Sequence, residues 1–117
     1  MGFTVIFYKT ASGICPVQDF LEHLDAKMNA KMISMLEILE DKGNLLREPY
    51  SKYLGNGIFE LRCKFGSDIT RALYFFYLNG EIIVTNAFIK KTQKTPKKEL
   101  ITALLRKRDY IQRREHL

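Results

Sequence analysis

Two cysteines, two histidines and three prolines in 117 residues leave little material for several kinds of protein. Cys15 and Cys63 fit no metal-ligand spacing, and His23 and His116 stand far from both, which argues against a structural zinc site and a disulfide scaffold. Cys63 alternates with apolar residues and is expected as a buried thiol. Glu60, Asp68 and Glu81 are separated along the chain and surrounded by cations, so neither a metal nor any other cofactor is expected. No apolar run approaches the roughly 18 residues of a membrane span. Met1 to Val5 lacks the basic region and long apolar core of a signal peptide. The expected compartment is therefore the cytoplasm, with no membrane partner. Gly/Ser-rich linkers, internal repeats and low-complexity segments are also missing, and a length near the usual 100–150 residues of a domain predicts one domain over 1–117.

What is present is a core and an excess of positive charge. Hydrophobic residues make up 46% and charged residues 27%, which excludes wholesale disorder. The net charge is +6 and the pI about 9.4, values that suit a nucleic acid or another acidic partner. The charge is polarised: residues 1–61 hold 6 basic and 8 acidic residues, whereas 62–117 hold 13 basic and 5 acidic. The basic half contains two dense runs, Lys90 to Lys98 and Arg106-Lys107-Arg108, with Arg113-Arg114 beyond. Such asymmetry within a small domain suggests a surface for a polyanion, with a merely solvated face as the alternative.

The pattern predicts the elements in the order β-α-α-β-β-β-α. Phe3 to Tyr8, rich in β-branched and aromatic residues, reads as a strand. Pro16 suits the first turn of a short helix to about Leu24. Asp25 can cap a second helix ending near Lys42-Gly43, with Met28, Met32, Met35, Leu36 and Leu39 as its apolar stripe. That stripe is expected in the core; exposed, it would be a docking surface for a partner. A short strand near Ser51–Leu54 precedes strands over Ile58–Lys64, Ile69–Leu78 and Glu81–Ile89, the last two joined by the hairpin signal Asn79-Gly80. Thr95-Pro96 then starts a last helix to about Gln112 with Leu100, Ile101, Leu104 and Ile111 on its apolar face. Helices segregated from consecutive antiparallel strands argue an α+β fold.

Hairpin counting shows which charges meet. A two-residue loop at Asn79-Gly80 sets Tyr77 opposite Ile82 and Arg71 opposite Phe88. A loop at Gly66-Ser67 sets Arg62 opposite Arg71, and one at Ser67-Asp68 sets Lys64 there instead; either way Arg62, Lys64 and Arg71 share a face. Lys90 continues the face of Phe88. Opposed cations repel unless an anion or a carboxylate lies between them, so the cluster reads either as a phosphate site or as a salt-bridge network neutralised by Glu60. In the first case Phe88 reads as a base-stacking platform, with Lys91 and Lys94 beside it. Tyr74 falls on the opposite face and is expected in the core. Arg106 and Tyr110 would reach the site only if the last helix packs over the sheet.

These same residues carry a likeness to a known family. Leu54 to Arg62, Arg71-Ala72-Leu73-Tyr74-Phe75 and Phe88-Ile89-Lys90-Lys91-Thr92-Gln93-Lys94-Thr95-Pro96 resemble the RelE/ParE toxin superfamily, and within it the HigB-like, phage-derived toxins. The resemblance implies an α+β fold with a RelE-like curved antiparallel sheet, an N-terminal helix pair on one side and a C-terminal helix. It implies a toxin inhibited by a cognate antitoxin, HigA-like and bearing a helix-turn-helix domain, and an mRNA endoribonuclease acting by 2′-OH attack, often on the ribosome. Matched onto this chain, Arg62, Arg71, Lys90, Lys91 and Lys94 become the candidate catalytic residues, and Lys64, Phe88, Lys97 and Lys98 the candidate RNA contacts. A ParE-like gyrase poison and a non-catalytic basic interaction module are the other expectations for the same fold.

Overall fold

Among the described residues, five strands and three α-helices form the α+β architecture expected from the pattern. The computed structural model describes residues 2–89 and 94–116. The elements are β1 (Thr4–Phe7), α1 (Pro16–Glu22), α2 (Ala26–Lys42), β2 (Ser51–Gly55), β3 (Ile58–Phe65), β4 (Asp68–Tyr77), β5 (Glu81–Ile89) and α3 (Lys97–Glu115). The strand order is β1-β5-β4-β3-β2. β2 to β5 are antiparallel neighbours, while β1 joins the edge beside β5 in parallel, so the sheet is mixed. No described helix is long and apolar enough to cross a membrane.

Local chemistry sets the helix ends. The Asp25 side chain accepts from Met28 N at 2.9 Å, capping α2, and Gly43 stops it with φ of 53°, a conformation glycine adopts without penalty. α3 starts one residue later than expected. Pro96 occupies the N-cap with extended backbone, and Lys97 begins the helix.

Each sheet face is covered. α1 and α2 bury Val17, Leu21, Met28, Met32, Met35, Leu36 and Leu39 against Leu61, Cys63, Ala72 and Tyr74. Met32 and Leu39 are fully buried, so the methionine stripe is core, as expected. α3 lies across the opposite face, where Ala103 meets Leu73, Phe75, Ile83 and Phe88. Leu100, Leu104 and Ile111 pack there as expected, but Ile101 is exposed, because the helix turns Ala103 rather than Ile101 onto the sheet.

The β4–β5 register holds two compensating departures from the simple hairpin. The loop has three residues, Leu78–Gly80, with Asn79 at φ 60°, so Tyr77 pairs with Glu81 and Phe76, not Tyr77, faces Ile82. A bulge then inserts Thr85, since Tyr74 pairs with Val84 and Leu73 with Asn86. The extra residue restores the count, and Arg71 still pairs with Phe88. It also moves Asn86 and Phe88 onto the α3 face, whereas Ile82 and Val84 face α2.

Candidate nucleic-acid interface

The β3–β4 turn uses Gly66-Ser67, which pairs Phe65 with Asp68 and sets Arg62 opposite Arg71. Arg62, Arg71 and Phe88 therefore stand in one row across three strands. Glu60, two residues before Arg62, shares their face. Its Oε1 lies 3.2 Å from Arg62 Nε and its Oε2 3.3 Å from Arg71 Nη1. The Thr95 hydroxyl donates to the same Oε2 from the segment leading into α3. One row further, Asn86 Nδ2 donates to Glu99 Oε1 at 2.9 Å. The start of α3 is thus tied to the charged row at two points. Two guanidiniums converge on one carboxylate, which removes the repulsion that direct opposition would cause.

Burial sorts these groups. Glu60 and Arg71 are 1% and 0% exposed, whereas the Arg62 side chain is 20% exposed. Arg71 therefore sits where register counting puts it but is closed off from solvent, contrary to the expectation of an open phosphate contact. The cause is α3, which covers this face, and Glu60, which makes burial of a guanidinium tolerable. Phe88 also departs from its expected role: at 9% exposure it packs in the α3 cluster and presents no open face for a base. Lys64, Lys94, Lys97 and Lys98 are exposed around the row. The last three stand at the N-terminal end of α3, where the helix macrodipole adds to their positive potential. Lys90 and Lys91 lie outside the described residues.

Tyr110 and Arg106 do not join this row. Tyr110 packs on Phe75 and Tyr77 and bonds Glu81 and Arg114 near the hairpin end. That end is about six residues, or roughly 20 Å, along β4 from Arg71. Arg106 donates to the Thr85 carbonyl at 2.9 Å and lies over the Tyr8 ring. Tyr74 is core, its hydroxyl 2.5 Å from Ser51 Oγ, and burial pushes its phenol above the ordinary range. Cys63 is a buried thiol whose pKa burial also raises, against an opposing pull from Lys31. Sequence reasoning underrated Glu60 and missed the Thr95 hydroxyl. The alternation of Glu60 with Arg62 was a usable signal for the first, but no local pattern reports that Thr95 returns to meet it.

A family profile described as phage derived protein Gp49-like (DUF891) matches residues 19–108. The chain belongs to the Gp49-like family. That family is phage-derived and toxin-like, part of the RelE/HigB-like toxin superfamily. The match runs from α1 through most of α3 and so includes the whole charged row. A search of curated proteins found no match. In this Gp49-like chain, the β3–β4–β5 sheet presents the row, and α3 brings exposed lysines to its border.

Proposed function

We propose that this Gp49-like protein is the toxin of a toxin–antitoxin pair, of the HigB-like kind, and that it cleaves mRNA on the ribosome. The observation that carries this reading is the Glu60–Arg62–Arg71 cluster bordered by exposed Lys64, Lys94, Lys97 and Lys98. Arg62, partly exposed and fixed by Glu60, is suited to contact the scissile phosphate with its fork of donors. Arg71 acts from behind as a positioning residue, holding Glu60 and through it Arg62. The lysines neutralise flanking phosphates.

In the reaction the ribose 2′-oxygen attacks its own phosphorus in line. The O2′–P bond forms as the P–O5′ bond breaks, leaving a 2′,3′-cyclic phosphate and a 5′-hydroxyl. The 2′-OH proton goes to a base and the departing O5′ receives a proton; Lys90, Lys91 and Lys94 are the proposed carriers. Arg62 stabilises the charge that develops on the phosphoryl oxygens. The cognate antitoxin is proposed to carry a helix-turn-helix domain and to act by covering the basic face.

The deciding experiment induces wild type and Arg62→Ala at equal levels and maps mRNA ends, with and without ribosomes. The expected result is growth arrest with cleavage for wild type, and a rate lower by a hundred-fold or more for Arg62→Ala. Arrest without RNA cleavage, accompanied by gyrase poisoning, would overturn the assignment.

A further inference from the structure

β3 continues to Phe65 beyond Leu61, the last of its residues to pair with β2, through Ser51. Where β2 stops, a cleft of about 430 Å³ opens between α2, the 47–50 loop and the free part of β3. It lies on the α2 side of the sheet over an apolar floor of Met35 and Cys63, with Lys31 and Tyr50 beside it and Arg62 and Lys64 at the strand edge, and no carboxylate is among its described lining residues. Tyr50 is 53% exposed. Its backbone is not loose: the Tyr50 carbonyl accepts from Arg62 N at 2.8 Å, and its N–H donates to the Arg47 carbonyl at 3.0 Å. A second hollow, sharing Lys31, Met35 and Tyr50, carries on to Lys42 and Arg47, with one acid, Glu48.

An exposed tyrosine whose backbone is bonded to that of Arg62, in a cleft bordered by Lys31 and Lys64 with no acid among its described lining residues, suits a single strand of nucleic acid. Aromatic faces take any base, and the flanking lysines take phosphates. The burial of Phe88 leaves the stacking role open, and Tyr50 stands where it can be filled. Building on the proposed RNA cleavage, we infer that the RNA strand runs from the Arg62 site round the edge of β3 into this cleft, with one base stacked on Tyr50 and backbone phosphates held by Lys64 at the edge and Lys31 beyond it. Tyr50 and Lys31 are then substrate-positioning residues that set affinity rather than the chemical step.

The test uses a short single-stranded RNA, 2′-O-methylated at every ribose so that it cannot be cut and carrying 2-aminopurine to report stacking. Tyr50→Ala is expected to weaken binding about 5- to 150-fold and to abolish the fluorescence quenching, since a stacked base contributes about 1–3 kcal/mol. Tyr50→Phe is expected to keep both within roughly twofold, the ring alone being required. Lys31→Ala should lower the slope of log affinity against log salt by about 0.7. With cleavable RNA, Tyr50→Ala should raise KM and leave kcat nearly unchanged. If wild type cuts RNA while Tyr50→Ala binds and quenches like wild type, the path is wrong and the proposed activity stands. Unchanged RNA binding with loss of an acidic protein partner in Lys31→Ala would likewise overturn it and give the cleft to that partner. A wild-type chain that neither binds nor cuts RNA overturns the activity and this inference together.

Discussion

Replacing Glu60 with alanine removes the carboxylate on which two guanidiniums converge. Arg71 is fully buried and Arg62 mostly so, and the two are directly paired across β3 and β4. Removing one member of a buried ion pair costs about 3–5 kcal/mol, because the surviving charge keeps its desolvation penalty. The Thr95 hydroxyl also loses its acceptor, which loosens the start of α3. For a chain of this length each kcal/mol moves the melting temperature by about 4 °C, so the expected fall is roughly 12–20 °C. Urea and thermal unfolding followed by circular dichroism measure it. Glu60→Gln, which keeps the shape and a hydrogen-bonding oxygen but not the charge, should fall between. The double variant Glu60→Met/Arg71→Met should recover the part of the loss that comes from the fully buried Arg71, since well-packed apolar residues often replace a buried ion pair at no cost, and leave the smaller part due to the partly exposed Arg62. That variant should be folded and inactive, which separates stability from chemistry. A Glu60→Ala protein melting within about 4 °C of wild type, a loss of about 1 kcal/mol, would refute the electrostatic account of this row.

Two further outcomes are expected. RNA cleavage should persist in EDTA and leave 2′,3′-cyclic or 3′-phosphate ends, because the proposed chemistry runs on arginine and lysine; loss of activity in EDTA, with 3′-hydroxyl ends in its absence, would exclude the 2′-OH route. On α3, hydrogen bonds from Arg113 and Tyr8 hold the Asp109 carboxyl below its ordinary value. A depressed carboxylate contributes stability that is present above the unfolded value of 3.8 and is lost as pH falls through the lower folded one. NMR titration of Asp109 should therefore give a midpoint below 3.8, moving up in Arg113→Ala; an unchanged midpoint in that variant would remove Arg113 as the cause.

Amino-acid order alone was enough for the features that depend on near neighbours. The Asp25 cap, the Gly43 stop, the methionine stripe and the three C-terminal strands each follow from spacing within a few residues, where backbone geometry and period leave few options. The family motif was legible for the same reason, being carried by contiguous runs. The pairing of Arg62 with Arg71 needed only the choice between two adjacent turn positions. The pairing of Arg71 with Phe88 came out as counted through two departures that cancel, the three-residue loop and the Thr85 bulge. A bulge shifts which face each later side chain meets by one residue, and the run Glu81 to Ile89 carries no local mark of where that shift falls. Tertiary structure alone decided how open the charged row is. Alternation in β4 places Arg71 with Leu73 and Phe75 on one face, but whether that face meets water depends on α3, which begins more than twenty residues later and packs Ala103 onto it. The same docking closes Phe88, brings Thr95 to Glu60 and leaves Arg62 as the partly open guanidinium of the row. Burial is a non-local property: it is fixed by which elements meet, and strand periodicity cannot report it.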